Sequence, residues 1–190
     1  MTDIGGDIMR DRCFEISHIS EGSISGFLRD DEREIFFDNG SGEDFIDDFM
    51  LAVLTVAGIH PAVEHRESFW AELEPMMAKW AFFGSNSRIR VTVTTYDNSR
   101  TVQERSESLT LDKETLMRDV AEVLGEVLEK FGLCGYRHEW GHEFPLSLYL
   151  QLKDAVSRSA KTSLTKQISA NENMGMPADG SVLSEELSLI

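Results

Sequence analysis

The segment Arg88 to Tyr96, RIRVTVTTY, constrains this chain more than any other, because it alternates without a break. In an extended backbone Ile89, Val91, Val93 and Thr95 share one face, and Arg88, Arg90, Thr92 and Thr94 the other. A strand of this kind buries one side only, so the rest of the chain has to supply sheet neighbours and a cover. The cover is legible further on. From Asp112, a capping residue, the positions Leu116, Val120, Val123, Leu124, Val127, Leu128 and Phe131 recur at three- and four-residue spacing until Gly132 ends the pattern.

Other segments fit the same scheme. Phe14, Ile16 and His18 alternate, as do Ile24, Gly26 and Leu28, and Glu21-Gly22-Ser23 between them predicts a hairpin. A third short strand, Glu34 to Phe37, follows the charged turn at residues 29–33. The period then changes. Phe45, Ile46, Phe49, Val53 and Val56 predict a helix over residues 42–57, with Ser41 as cap, Asp44 three residues on and Gly58 as terminator. Strands are expected over Ser68 to Leu73, Ala78 to Phe83 and Glu107 to Leu111, with a turn at Glu74-Pro75. Pro145 opens a last helix, expected to run to about Ser159, with Leu146, Tyr149, Leu150, Leu152 and Val156 on its apolar side. Hairpin-linked strands followed by helices define an α+β class. The expected architecture is an antiparallel sheet of about five to seven strands, covered by two long helices and a C-terminal helix. Residues 1–157 read as one domain and residues 158–190, polar and without period, as a loosely ordered tail.

Charge narrows the function. Thirty-four Asp and Glu outnumber eighteen Lys and Arg, giving a formal charge of −16. Such a surface repels phosphate backbones and anionic lipid, so nucleic acid and membranes are not expected partners. No apolar run reaches the roughly 18 residues of a membrane span and no basic-then-apolar leader opens the sequence, so the expected compartment is the cytoplasm. The cysteines, Cys13 and Cys134, are far apart and read as reduced and structural. A homodimer through an uncovered sheet face is compatible with three helices that leave one side of a sheet bare.

One segment carries the letters of a catalytic motif. His138-Glu139-Trp140-Gly141-His142 matches H-E-x-x-H, in which histidines one helical turn apart bind zinc and the glutamate activates its water. That chemistry needs a continuous helix through both histidines and a third ligand. Here Gly141 interrupts the segment, Pro145 follows it, and the downstream acids Asp154, Glu172 and Asp179 stand in no convincing context. The expectation is therefore no catalytic residue and no metal, with Tyr136, Trp140 and Phe144 packing down in a connector. A zinc-dependent hydrolase using His138, Glu139 and His142 is the alternative.

Two groupings resemble a family of uncharacterised bacterial proteins. One is Trp70-Ala71-Glu72-Leu73-Glu74-Pro75 followed by Trp80, similar to that family's W-x-x-x-EP strand pair. The other is Gly132-Leu133-Cys134-Gly135-Tyr136, then Trp140 and Phe144-Pro145, similar to its G-x-x-GY…W…FP helix connector. The resemblance spans roughly residues 14 to 156 and implies an α+β fold with no established activity. Met76-Met77 departs from the family's Gly-Glu after the Glu-Pro.

These readings converge on a non-enzymatic, acidic protein-binding module, with an immunity-type inhibitor of a basic partner as its finer form. Its expected contacts are Asp44, Asp47 and Asp48, which steer, and Trp70, which anchors.

Overall fold

The computed structural model describes residues 12–40, 42, 44–60, 66–73, 76–97, 100 and 102–173. The elements run β1 (Phe14–Ser20), β2 (Ser23–Arg29), β3 (Glu34–Gly40), α1 (Phe45–Val56), β4 (Arg66–Leu73), β5 (Met76–Ser85), β6 (Arg88–Tyr96), β7 (Gln103–Asp112), α2 (Lys113–Trp140) and α3 (Leu146–Asn173). The class is α+β. The seven strands are all antiparallel, but they divide into a three-stranded sheet, β1-β2-β3, and a four-stranded sheet, β4-β5-β6-β7, where the sequence alone led us to expect one.

The division is made by β3, which crosses the inner side of the larger sheet instead of pairing with it. At one end, Arg33 donates to the Ser108 carbonyl (3.3 Å) and Asp30 accepts from the Thr110 N–H (3.3 Å), fastening the β2–β3 turn to β7. At the other, Gly40 lies beside the Glu72 carboxylate of β4. In between, Phe37 meets Trp80 of β5 edge-on at 6.2 Å.

Helix α1 fills the angle between the sheets. Nine of its twelve residues are buried, too many for a surface helix with one apolar stripe, so it is enclosed on most sides. It packs on β4, β5 and α3. Phe45 and Phe49 lie within 4.9 to 5.8 Å of Phe14, Phe37, Trp80, Phe82 and Phe69, ring centre to ring centre. Two glycines let backbones approach. A Cβ at Gly84 would fall 2.2 Å from the Val56 carbonyl oxygen, and one at Gly26 would fall 2.0 Å from that of Glu15.

Four expectations need adjusting. The cap of α1 is Asp44, whose carboxylate accepts from Asp47 N–H (3.3 Å); Ser41, expected in that role, lies outside the described residues. A bulge between Ile16 and His18 shifts the phase of β1, so Ile19 is buried and His18, expected in phase with Phe14, is exposed. Cys13 is buried, as expected of a structural thiol, but Cys134 is exposed and packs in no core. Finally, α3 runs on past Ser159 to Asn173: Ser157 and Thr162 bond the carbonyls four residues back, and the i,i+4 pair Asp154–Arg158 supports the helix there. The Glu74-Pro75 turn and the tail from residue 174 lie outside the described residues. The Asp112 cap of α2 is present, accepting from Thr115 N–H at 2.9 Å.

Removing the Phe49 ring from its aromatic surroundings is expected to cost about 3–5 kcal/mol in a Phe49→Ala variant, measured by denaturant unfolding. Gly84→Ala, which adds only a methyl group, is expected to cost about 1–3 kcal/mol because the atom it meets is backbone and cannot rotate away.

Candidate functional site

The H-E-x-x-H letters fall where α2 ends. Gly132 breaks the helix (φ 63°, ψ 177°), the chain coils again through Trp140, and Gly141 closes it in the left-handed conformation (φ 93°). The expected connector is thus a second helical piece, possible because Gly132 absorbs the bend. His138 stands on its last turn, exposed, whereas His142 lies beyond the left-handed residue and off the helix. The turn that should bring both imidazoles to one ion is missing. Among the described residues no three His, Cys, Asp or Glu side chains are grouped so as to hold a metal ion. Asp154 is exposed and paired with Arg158.

The segment and its neighbours are tied into the core. Tyr136, Trp140 and Phe144 pack inward, and the Glu139 carbonyl accepts from Gly22 N–H at 2.7 Å, tying the β1–β2 turn to the end of α2. Its side chain lines a groove of about 470 Å³ between β1 and α2, together with His18, Lys130 and Phe131. His142 turns the other way, its Nδ1 3.8 Å from Asp44 Oδ2 and its ring beside Trp140.

Asp44 belongs to the acidic start of α1, with Asp47 and Asp48. The helix N-terminus favours negative charge there. The latter two are only half-exposed, however, and partial burial raises their pKa values; Asp44 raises Asp47 further, while Asp47, Asp44 and Glu67 raise Asp48. They form a compressed carboxylate group under the sheet edge, not a fully solvated face. Burial, and then Asp44 and Asp47, raise the Tyr136 hydroxyl pKa, and among the described residues neither this hydroxyl nor Trp140 Nε1 has a hydrogen-bond partner.

Trp70 lies elsewhere, on the outer face of the β4–β7 sheet, opposite Lys79 and half-buried. Its ring is 5.1 Å from Tyr96, with the Arg100 guanidinium 4.9 Å and the Lys79 ammonium 5.9 Å from its centre. The structure therefore sets Trp70 among cations and does not bring it together with Asp44, Asp47 and Asp48.

The outer face of the β1–β3 sheet carries an aromatic pair that the expected contacts did not include. In β3, Ile35, Phe37 and Asn39 point inward, which puts Phe36 outward, 53% exposed. Its ring lies tilted 5.3 Å from that of Phe27, which pairs with it across the strands. Around them stand carboxylates: Glu15 and Glu34, both on Arg29 (2.5 and 3.6 Å), and the exposed Asp38, Asp31 and Glu32. The turn bearing the last two is fixed. Asp30 accepts from Glu32 N–H (3.0 Å), Arg33 N–H (2.8 Å) and Thr110 N–H, and these bonds outweigh burial and lower its pKa. The adjacent Phe36-Phe37 pair was a usable signal, since neighbouring residues of a strand cannot both face inward.

The fold and these surfaces define an α+β protein with two open sheet faces, one acidic and aromatic, the other cationic and aromatic. No family model matches the chain, and no curated protein matches it. Among solved structures, it is similar to a chain of the CdiA-CT/CdiI toxin and immunity complex from Enterobacter cloacae, with a TM-score of 0.36 and 10% identity over 59% of this chain and 99% of that one. No helix of the described residues is long and apolar enough to cross a membrane.

The raised pKa values at α1 have a defined consequence. A carboxyl that binds its proton more tightly when folded lends stability below its unfolded pKa, and that contribution is lost as pH rises through the folded value. Asp48→Asn is therefore expected to raise the melting temperature at pH 7, and the gain should vanish by about pH 4, near the ordinary Asp value. Thermal unfolding of both proteins across this range measures it.

Proposed function

We propose that this chain is a non-catalytic protein-binding module that captures a basic partner on the outer face of its three-stranded sheet. The observation that carries the reading is Phe36, half out of the protein beside Phe27 and ringed by carboxylates. An exposed aromatic pair is the anchor a partner can desolvate, and the acidic rim supplies steering and selectivity. The rim is pre-organised, because Asp30 holds the turn of Asp31 and Glu32 with three backbone hydrogen bonds. In its finer form the module is an inhibitor of the immunity type, covering a cationic surface on its target. The overall charge of −16 and the small size support that form. The aspartates of α1 add to the long-range field without having to touch the partner.

The test is capture from native lysate on immobilised protein, run in parallel with Phe36→Ala and Asp38→Lys. We expect a basic protein retained by the wild type, at least about tenfold weaker on Phe36→Ala, with an association rate that falls as salt rises. Equal retention by wild type and variants, or no protein retained above background, counts against the reading. A rate independent of salt removes its electrostatic half.

A further inference from the structure

The second open face has the opposite sign. Across the outer side of the β4–β7 sheet run the rows Trp70–Lys79–Thr94–Ser106 and Ser68–Ala81–Thr92–Ser108, without a carboxylate; Glu72, in the row beyond Trp70, and Asp112, opposite Arg88, bound this stretch. Arg88 and Arg90 follow at the far end of β6, with Arg90 over the exposed Phe83 ring at 5.8 Å. Arg12, Arg29, Arg105, Arg118, Arg137 and Arg158 are each ion-paired. Lys79, Arg88 and Arg90, like Arg33, Lys113, Lys130 and Lys153 elsewhere, make no ion pair with a described residue, and these three share one face.

Their surroundings hold them ready for an anion. Lys79 lies over Trp70 and Arg90 over Phe83, so part of their side-chain freedom is already spent. Between them the hydroxyl pairs Thr94–Ser106 (3.1 Å) and Thr92–Ser108 (2.9 Å) can turn donors outward. Lys79 and the partner of Arg90, Phe83, are four positions apart along β5, about 13 Å at the usual rise of a strand.

We propose that this face binds a short acidic segment of a partner protein, lying along β5 and β6 with carboxylates on Lys79 and Arg90 and its backbone over the Thr–Ser rows. Two discrete cation positions about 13 Å apart suit side chains four residues apart in an extended peptide. A nucleic acid needs a continuous basic track, and the rest of this protein repels a long polyanion. The site is independent of the acidic face that receives the basic partner, so the module can hold two partners of opposite charge.

A fluorescent decaglutamate peptide tests this at low salt, with poly(U) RNA beside it. We expect saturable peptide binding, weakened at least tenfold in Lys79→Glu/Arg90→Glu, and unchanged in Phe36→Ala. Arg137→Glu/Arg158→Glu, which alters net charge equally on the helices, is expected to bind as wild type. Circular dichroism of each variant establishes that it is folded; should the Lys79/Arg90 pair unfold when reversed, Lys79→Gln/Arg90→Gln replaces it. Absence of peptide binding overturns the proposal, as does equal loss in both charge-reversed pairs. Binding of poly(U) in preference to the peptide overturns it in favour of a nucleic-acid surface. Failure of Phe36→Ala to affect the basic partner leaves this result untouched, because the two faces are read separately.

Discussion

Enclosure of α1 is the constraint from which the remaining arrangement follows. A helix with nine buried residues in twelve must be met by apolar groups on most of its circumference. Two layers cannot do that. The four-stranded sheet supplies Phe69, Trp80 and Phe82 from one side, and β1 and β3 bring Phe14 and Phe37 from another. Helix α3 closes a further side. The cluster also explains the division into two sheets, since a continuous sheet could not place Phe37 across the inner face of β5 and leave room for Phe45 and Phe49.

The open faces are the complement of this packing. Among the described residues the outward side chains of both sheets, such as Phe27, Phe36, Trp70 and Arg90, are exposed or half-buried, and alternation along the strands decides what stands there. On the small sheet it is Phe27, Phe36 and carboxylates; on the large one, Trp70, cations and hydroxyls. The ends of the faces are managed by side chains. Asp30 and Arg33 occupy the backbone groups of Thr110 and Ser108 at the β7 edge, which both guards that edge and sets the acidic turn in position.

The H-E-x-x-H letters show how a motif depends on backbone it does not mention. Five residues match, yet one of them is a glycine in the left-handed region, and the last histidine is carried away from the first toward Asp44. In the fold the segment puts the Trp140 ring inward and the Glu139 carbonyl on the β1–β2 turn.

Periodicity in the sequence determined the element types, the α+β class, the Asp112 cap and the inward aromatic residues at Tyr136, Trp140 and Phe144, because these follow from local backbone geometry and the burial of apolar surface. It was misled in β1, where a bulge reverses the alternation after Ile16, and at the end of α3, where hydroxyls that bond their own helix look like helix breakers. Among the site residues, the acidic start of α1 and the outward Trp70 were legible, but not that the aspartates are half-buried together or that Trp70 is flanked by Lys79 and Arg100. Those facts belong to tertiary structure. Charge sign on a face is set by which strands lie side by side, and Lys79, Arg90 and Thr94 become neighbours only through pairing between residues distant in sequence, which a period of two cannot encode.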